Sequence, residues 1–261
     1  MPQLPPLPSA DGLPARIRRG IGHFVLAFSF LSRLAPARVA STGDMGASCL
    51  YYPLVGLALG GLAVLPLWLG LFSDNTWAQA WTYALLCLWL TRALHHDGFA
   101  DLLDALGSGK SGEAFREVMK DSRIGSFGAA GLVMAFAAQI IFAQSNLAAN
   151  NLFSLVYACL FGRCLPIFLA RIAPASPSAS LGLIFSLAPM KEACLFACVC
   201  LLAGGLLLMP LAAWLCSLCL GGALLLFFRA KALEHGGYTG DFFGALIVSG
   251  ELAALFAAAV F

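Results

Sequence analysis

Three carboxylates lie close together in the segment HHDGFADLLDALGSGK. Asp97, Asp101 and Asp104 are spaced so that on an α-helix they fall within about 60° of one another around the axis. Carboxylates that share one helix face repel one another and raise each other's pKa. A hard divalent cation such as Mg²⁺ removes that cost, because carboxylate oxygens are the ligands it prefers. The spacing therefore favours a metal site, and an acidic stripe facing water is the alternative.

A second charged segment, EAFREVMKDSRIGSFG, follows this aspartate stripe. Its Glu113 and Glu117 have the spacing of ordinary charges on a helix surface. Asp121 and Arg123 differ, because a hydroxyl lies between them and two glycines follow at the entrance to the next apolar run. An Arg side chain binds phosphate through two parallel hydrogen bonds, and glycine lets the backbone approach a phosphate closely. The segment predicts a phosphorylated substrate next to the metal.

Two polar features lie much later in the chain. Arg163 falls well inside an apolar run, where a charge is costly and marks a candidate functional residue unless its end reaches the membrane surface. The segment GGYTGDFFGA forms a glycine-rich turn before the last apolar run, with Asp241 placed to add a carboxylate. Thr239 or Asp241 could instead serve as a helix N-cap. Carboxylates, basic groups and glycine turns together indicate metal-assisted displacement at a pyrophosphate by a hydroxyl.

These residues are embedded in a strongly apolar chain. Of its 261 residues, 61% are hydrophobic and only 11% are charged, and the mean hydropathy is +0.88. Such values lie outside the range of soluble domains and predict an all-α, polytopic integral membrane helical bundle. The net charge of +2 gives no indication of a nucleic-acid partner.

Apolar runs of the length that a membrane requires define the predicted spans. A spanning helix needs about 20 mostly apolar residues. Seven runs are predicted to span, namely 49–72, 77–94, 127–144, 151–173, 193–209, 211–228 and 242–261. The run 21–34 is shorter and contains His23 and Ser29, so it is predicted to be interfacial or re-entrant. The sequence GLALG, residues 56–60, predicts close contact between two helices.

Lys and Arg residues are distributed unevenly over this topology. The connections after residues 72 and 144 and the turn at Pro210 contain none. The opposite side holds Arg16, Arg18, Arg19, Arg33, Arg38, Arg92, Lys110, Arg116, Lys120, Arg123, Arg171, Lys191, Arg229 and Lys231. An excess of basic residues marks the cytoplasmic side. The polar segments are therefore predicted to form a site at the cytoplasmic membrane surface.

The chain is predicted to form one catalytic domain. Residues 1–15 contain five prolines and no basic segment typical of a signal peptide, so they are predicted to be a disordered tail. Residues 16–261 form a single transmembrane domain. Its cytoplasmic motif loops are 95–126, 174–192 and 229–241.

The polar segments resemble the signature of the cobalamin synthase family, adenosylcobinamide-GDP ribazoletransferase. The stretch from His95 to Gly128 is similar to that family's H-x-D-G-x-A-D-x-x-D-G pattern and its later D-S-R-(I/L)-G-x-x-G pattern. YYPLVGLALGG is similar to its F-P-(L/I)-(V/I)-G-x-x-x-G segment, and GGYTGDFFGALIVSGE to its G-G-x-T-G-D-x-x-G-A ending. The resemblance covers residues 33–251.

This resemblance implies a Mg²⁺-dependent enzyme of the cell inner membrane that acts late in corrinoid (vitamin B12) assembly. Members of the family join adenosylcobinamide-GDP to α-ribazole, or its 5′-phosphate, through a ribose hydroxyl and release GMP. The expected partners are these two substrates and the lipid bilayer, without nucleic acid. Self-association and association with other corrinoid-assembly enzymes are left open.

Residues of the matching segments, together with Arg163, are assigned roles on the chemistry above. The expected Mg²⁺ ligands are Asp97, Asp101 and Asp104. Asp121 and Asp241 join them as expected catalytic carboxylates, one of which removes the proton of the attacking hydroxyl. Substrate and phosphate binding is assigned to His96, Lys120, Ser122, Arg123, Gly125, Arg163, Thr239 and Gly240.

The sequence departs from the family's pattern at three places. Ala105 stands where the family usually has Gly, and Arg92 lies in a TRA segment where Thr-Gly-Gly is usual. Neither change removes an expected ligand. The segment 174–187, PASPSASLGLIFSL, lacks the charged residues expected before Gly-Leu-Gly, which leaves the specificity for the lower ligand open.

Three other functions are alternatives to the transferase. A CDP-alcohol phosphotransferase is expected to have D-G-x-x-A-R followed by G-x-x-x-D-x-x-x-D, but Asp101 replaces the Arg and the second half is missing. A transporter is expected to hold its acidic residues at the membrane midplane, whereas these are predicted at one surface. A scaffold protein would not need carboxylates aligned on one helix face.

Overall fold

The computed structural model describes residues 13–36, 39–177, 184–185 and 187–261. Apart from helices, turns and irregular connections, this part of the chain contains an isolated β-bridge between Ala175 and Tyr238. The helices are α1 (Leu13–Leu31), α2 (Thr42–Ser48), α3 (Tyr52–Trp68), α4 (Thr76–Leu90), α5 (Leu94–Gly107), α6 (Gly112–Met119), α7 (Ser126–Ala148), α8 (Leu152–Ile172), α9 (Met190–Leu208), α10 (Leu211–Glu234) and α11 (Gly240–Val260). The predicted all-α membrane bundle is confirmed. Most of the predicted tail lies outside the described residues, and α1 begins within it at Leu13.

Six helical segments of the described chain, rather than the predicted seven, are long and apolar enough to cross a membrane. They are Thr42–Trp68, which joins α2 to α3 through a 3₁₀ turn, and α7, α8, α9, α10 and α11. The predicted span 77–94 instead forms the 15-residue helix α4, which is about 22 Å long, shorter than the roughly 30 Å hydrocarbon core. It begins where the Asn75 side chain accepts a hydrogen bond from Ala78 N. It ends before Arg92 and Ala93, whose left-handed backbone reverses the chain into α5.

The segment from Arg33 to Leu90, which contains α2, α3 and α4, begins and ends at the same place in the structure. The backbone N–H of Arg33 donates a hydrogen bond to Leu90 O at 2.8 Å, and its guanidinium lies 4.5 Å from the centre of the Trp89 ring. The chain therefore leaves from residue 33 through α2 and α3 and returns to the same place at the end of α4. The helix α5 consequently starts at the end of the bundle where α2 begins.

Residues 21–31 of the apolar run 21–34 belong to α1, which is not among the six candidate spans. Its first half includes three arginines, which suits a helix at a membrane surface better than one inside it. His23 Nε2 lies 3.2 Å from Asp44 Oδ1, so this contact ties α1 to α2. The predicted interfacial segment thus forms a helix that packs beside the entrance to the first span.

The centre of the bundle is α8, in whose apolar 18-residue stretch 83% of the residues are buried inside the protein. It packs against α3, α9 and α11. The predicted close contact at GLALG is confirmed, because a Cβ placed on Gly60 would lie 2.9 Å from Val156 O of α8. In the corresponding apolar stretches of α7, α9 and α10 only 22–28% of the residues are buried, so these helices face outwards. This packing leaves α5 held between α7 and α11 at one end of the bundle.

Candidate active site

The crossing of α5 over α11 brings two aspartates from distant parts of the chain together. A Cβ placed on Gly98 would lie 2.7 Å from the Cα of Asp241, and one placed on Gly244 would lie 3.0 Å from His95 O. Glycine at both positions lets the two backbones touch, as side chains would hold them apart. The close approach places Asp97, at the start of α5, beside Asp241, in the first turn of α11.

Four carboxylates influence one another at this crossing. Burial, followed in order by the negative charges of Asp97, Asp241 and Asp104, raises the pKa of Asp101 to about 6. Repulsion of this kind identifies a cluster that would bind a cation. Within the described residues, no three His, Cys, Asp or Glu side chains lie close enough to form a metal site. The expected ligation by Asp97, Asp101 and Asp104 therefore stays a prediction.

The side chain of Asp104 already has two protein partners. Its Oδ2 accepts a hydrogen bond from Gly125 N and its Oδ1 accepts one from Gly128 N, both at 2.7 Å. These N–H groups belong to the first turn of α7, where the helix dipole favours a negative charge. A Cβ on either glycine would collide with the carboxylate. Gly125, which was assigned to phosphate binding, thus makes room for the carboxylate of Asp104. Each carboxylate oxygen of Asp104 keeps a lone pair that could bind a metal.

We expect Asp104→Ala to lower the free energy of unfolding by about 1–3 kcal/mol, because it leaves two backbone N–H groups of α7 without their acceptor. Chemical denaturation in detergent measures this difference. Asp74→Ala, which removes an exposed acid in the connection before α4, is the matched control. An unfolding curve for Asp104→Ala that superimposes on the control would show that the carboxylate does not stabilise α7.

Two cavities lie on either side of the aspartate stripe. The apolar cavity has a volume of about 320 Å³, and Asp97 and Asp241 are its acidic lining residues. The polar cavity has a volume of about 270 Å³, and Asp101, Asp104 and Asp121 line it. The stripe predicted from the sequence is therefore divided between the two cavities.

The polar cavity contains the predicted phosphate-binding arginine. Arg123 donates hydrogen bonds to both carboxylate oxygens of Asp121, and 86% of its side chain is exposed. The bonds from Arg123 hold the pKa of Asp121 down at about 2. The neighbouring Ser122 and Lys120 are exposed. Arg123 binds Asp121 in this structure, and its exposure allows it to bind another anion in place of Asp121.

The structure gives Arg163 a partner other than a substrate phosphate. Its guanidinium is 2% exposed and forms an ion pair with Glu251 of α11. It also donates to Cys159 O of its own helix at 3.3 Å. Gly162 makes room for this pair, because a Cβ there would lie 2.8 Å from Glu251 Cγ. The alternative that Arg163 reaches the membrane surface is wrong, since the group is enclosed in the bundle.

The remaining assigned residues lie around the start of α11 and on the far side of α5. Thr239 is the N-cap residue of α11, and its hydroxyl donates to Asp241 Oδ2 at 3.1 Å. Gly240 lines the apolar cavity. His96 instead stacks on Phe136 of α7 at 4.7 Å and is absent from the described lining of both cavities. Burial and the nearby Arg163 lower the pKa of His96 to about 4.

Sequence reasoning missed two polar residues of this region. Glu251 lies in the last apolar run, and a search for a counter-ion to Arg163 would have found it. His95 lines the apolar cavity and is 5% exposed. His95 and His96 both precede Asp97 directly in the sequence, and helix geometry alone does not tell which of them faces α11.

Comparison with known proteins identifies the family. Residues 23–259 match the family described as CobS, cobalamin-5-phosphate synthase. The chain belongs to this cobalamin-5-phosphate synthase family. A protein of a Nitratidesulfovibrio vulgaris strain, named adenosylcobinamide-GDP ribazoletransferase, is 40% identical over 91% of this chain and 97% of its own length. Proteins of the same name from Syntrophobacter fumaroxidans and Leptothrix cholodnii are 35% and 34% identical, over 91% and 88% of this chain and 98% and 92% of their own lengths. No solved structure was found to match the chain.

Membership of the cobalamin-5-phosphate synthase family confirms the resemblance drawn from the three polar segments. The match covers almost all of the described helices, from within α1 to the end of α11. It therefore includes both cavities and the crossing of α5 over α11. The CDP-alcohol phosphotransferase, transporter and scaffold alternatives have no comparable support.

Proposed function

We propose that the chain is an adenosylcobinamide-GDP ribazoletransferase that joins adenosylcobinamide-GDP to α-ribazole, or to its 5′-phosphate, and releases GMP. Full-length relatives that carry this name support the proposal. The single structural observation that carries it is the carboxylate cluster between an apolar and a polar cavity. This arrangement suits an acceptor and a pyrophosphate donor that meet at shared acids.

In the proposed reaction, the acceptor and the donor approach the shared carboxylates from different cavities. The ribose hydroxyl oxygen forms a bond to the phosphorus on the corrinoid side of the donor, and the bond from that phosphorus to the bridging oxygen breaks. GMP leaves with the bridging oxygen. The hydroxyl proton passes to a carboxylate at the boundary, for which Asp97 and Asp241 are the candidates. Arg123, exposed in the polar cavity, would bind the donor phosphates after releasing Asp121.

A Mg²⁺ ion is part of the proposal. The carboxylate donor set fits its chemistry, and three of these side chains would have to come closer together than they lie in the described structure. Asp97, Asp101 and Asp241 would hold the ion, with Asp104 as a further ligand through its remaining lone pairs. The raised pKa of Asp101 indicates the repulsion that a cation would relieve. When bound, Mg²⁺ would neutralise charge on the transferred and leaving phosphates.

The location of the enzyme is proposed from its charges. The turn before α5 carries Arg92, the connection before α7 carries Arg123, and Arg229 and Lys231 lie near the end of α10. Basic residues mark the cytoplasmic side of a span. We therefore place the active site on the cytoplasmic face of the cell inner membrane, with the lipid bilayer as partner.

The proposal is tested by incubating the detergent-purified or liposome-embedded protein with adenosylcobinamide-GDP, α-ribazole and Mg²⁺. Release of GMP together with a corrinoid product is the expected result, and it should stop when the metal is removed. The 5′-phosphate of α-ribazole is run in parallel as acceptor. Folded protein that produces no GMP with either acceptor, in Mg²⁺ or Mn²⁺, would contradict the proposal.

We expect Gly98→Ala to lower the rate of GMP release by about 100-fold, because misplacing reacting groups by about 1 Å has effects of this size. The added methyl group would push α5 away from the Asp241 backbone, which lies 2.7 Å from its position. Gly61→Ala on α3 is the matched control, since a Cβ there meets no atom within 4 Å. Equal rates for the two variants would show that the α5–α11 contact does not position the carboxylates.

A further inference from the structure

The apolar cavity has an aromatic wall that the reaction described above does not use. Phe30 stacks against Tyr52 with ring centres 6.4 Å apart, and Phe185 meets Tyr52 edge to face at 6.2 Å. Phe185 also meets Phe243 edge to face at 4.7 Å. All four rings line the cavity. A series of rings in mutual contact offers faces and edges suited to another planar aromatic group.

Two neutral polar side chains line this cavity among the carbon atoms, Tyr52 with its hydroxyl and His95 with its imidazole. His95 is among its lining residues and is 5% exposed, and its Nε2 has no hydrogen-bond partner in the described part of the protein. A buried polar atom without a partner is destabilising, so its presence calls for an explanation. A ligand atom that bonds to Nε2 would remove that cost.

The acids limit what the cavity can hold. Asp97 and Asp241 line the same space as the four rings, so an occupant must combine an aromatic body with a part that tolerates carboxylates. A lipid acyl chain lacks such a part and would leave His95 Nε2 without a partner. The volume of about 320 Å³ is at the lower end for small-molecule pockets, which suits one ring system with an attached sugar and not a corrinoid.

We propose that the apolar cavity binds the planar aromatic base of the acceptor nucleoside, with His95 Nε2 hydrogen-bonded to the free ring nitrogen of the base and the ribose next to Asp97 and Asp241. This assignment rests on the proposed transferase function. It identifies the side of α5 from which the acceptor enters, and leaves the polar cavity for the pyrophosphate of the donor.

The first test measures binding of benzimidazole alone, by its fluorescence, to the full-length protein in detergent without donor. Ile247→Phe fills the cavity from α11, and Ile141→Phe, on the exposed face of α7, is the matched control. We expect Ile247→Phe to weaken benzimidazole binding by at least about tenfold, as expected for a filled pocket. Wild-type affinity in Ile247→Phe, or displacement of benzimidazole by GMP, would overturn the proposal, because the base would then bind elsewhere or the cavity would hold guanine.

The second test examines the hydrogen bond. Indole has the shape of benzimidazole but lacks the free acceptor nitrogen. The wild type should bind benzimidazole about fivefold more tightly than indole, which corresponds to one neutral hydrogen bond, and His95→Leu should bind both equally. A preference that persists in His95→Leu would overturn the assignment of His95.

Steady-state kinetics distinguish a failure of this inference from a failure of the proposed function. In an active enzyme, Ile247→Phe should raise the KM for the acceptor by about tenfold and leave the KM for the donor within about twofold. Active wild type whose acceptor KM is unchanged in Ile247→Phe would overturn the inference alone. Inactive wild-type protein would instead overturn the proposed function on which the inference rests.

Discussion

Replacing Asp241 or Asp97 by asparagine is expected to lower kcat for GMP release by about 10³-fold, the size of effect typical for loss of a general base or a metal-bound carboxylate. The two residues lie on either side of the α5–α11 crossing and line the same cavity. Asparagine keeps the shape of the side chain but can neither accept the hydroxyl proton nor contribute charge to a cation site. The rates are measured at saturating concentrations of both substrates and of Mg²⁺.

The thermal unfolding midpoint separates loss of chemistry from loss of structure. It should fall little in either variant, because Asn preserves the packing and removes a repelling charge from beside Asp101. Asp74→Asn, at an exposed position before α4, is the control and should retain full activity. Variants of Asp97 and Asp241 that stay within about threefold of the wild-type kcat would exclude both from the reaction, since a general base contributes at least 100-fold.

The elements of the fold could be predicted because hydropathy alone determines most of them. Apolar runs of about 20 residues predicted six of the segments that can span a membrane. The run 77–94 was overestimated because its last four residues, 91–94, belong to a chain reversal and to the start of α5. Left-handed backbone at Arg92 and Ala93 ends α4 early, and neither residue is of a type that commonly marks such a turn.

The sequence indicated which aspartates lie near the candidate site, but it did not indicate that two cavities divide them. Helical spacing correctly places Asp97, Asp101 and Asp104 on one side of α5. Which neighbour each one meets depends on the helices that cross α5. Because α7 presents N–H groups to Asp104 and α11 presents Asp241 to Asp97, adjacent members of one stripe have different environments. Such contacts connect segments far apart in sequence, and local periodicity contains no information about them.

Arg163 shows that the partner of a buried charge is equally hard to predict from local sequence. Its position in an apolar run marked it as unusual, and the assigned role was phosphate binding because arginine suits phosphate. The ion pair with Glu251 gives a different explanation, in which each charge permits the burial of the other. These two explanations predict opposite results for paired substitutions.

We expect Arg163→Met and Glu251→Leu, each made singly, to lower the free energy of unfolding by about 3–5 kcal/mol, because each leaves an unpaired charge in the bundle. The double variant should recover most of that loss, since an apolar pair of similar size removes both charges. Chemical denaturation in detergent measures the three values, and the coupling between the two sites follows from the double-mutant cycle.

The activity of the double variant decides the role of Arg163. If the arginine serves only to balance Glu251, the double variant should fold and keep its KM for the donor within about threefold of the wild type, the range of a substitution that removes no substrate contact. If the arginine binds a donor phosphate, the double variant should be as stable as expected but show a donor KM raised by about tenfold or more, the loss typical of one charge-assisted hydrogen bond. The buried position of the pair, enclosed between α8 and α11 at 2% and 8% side-chain exposure, favours the first result.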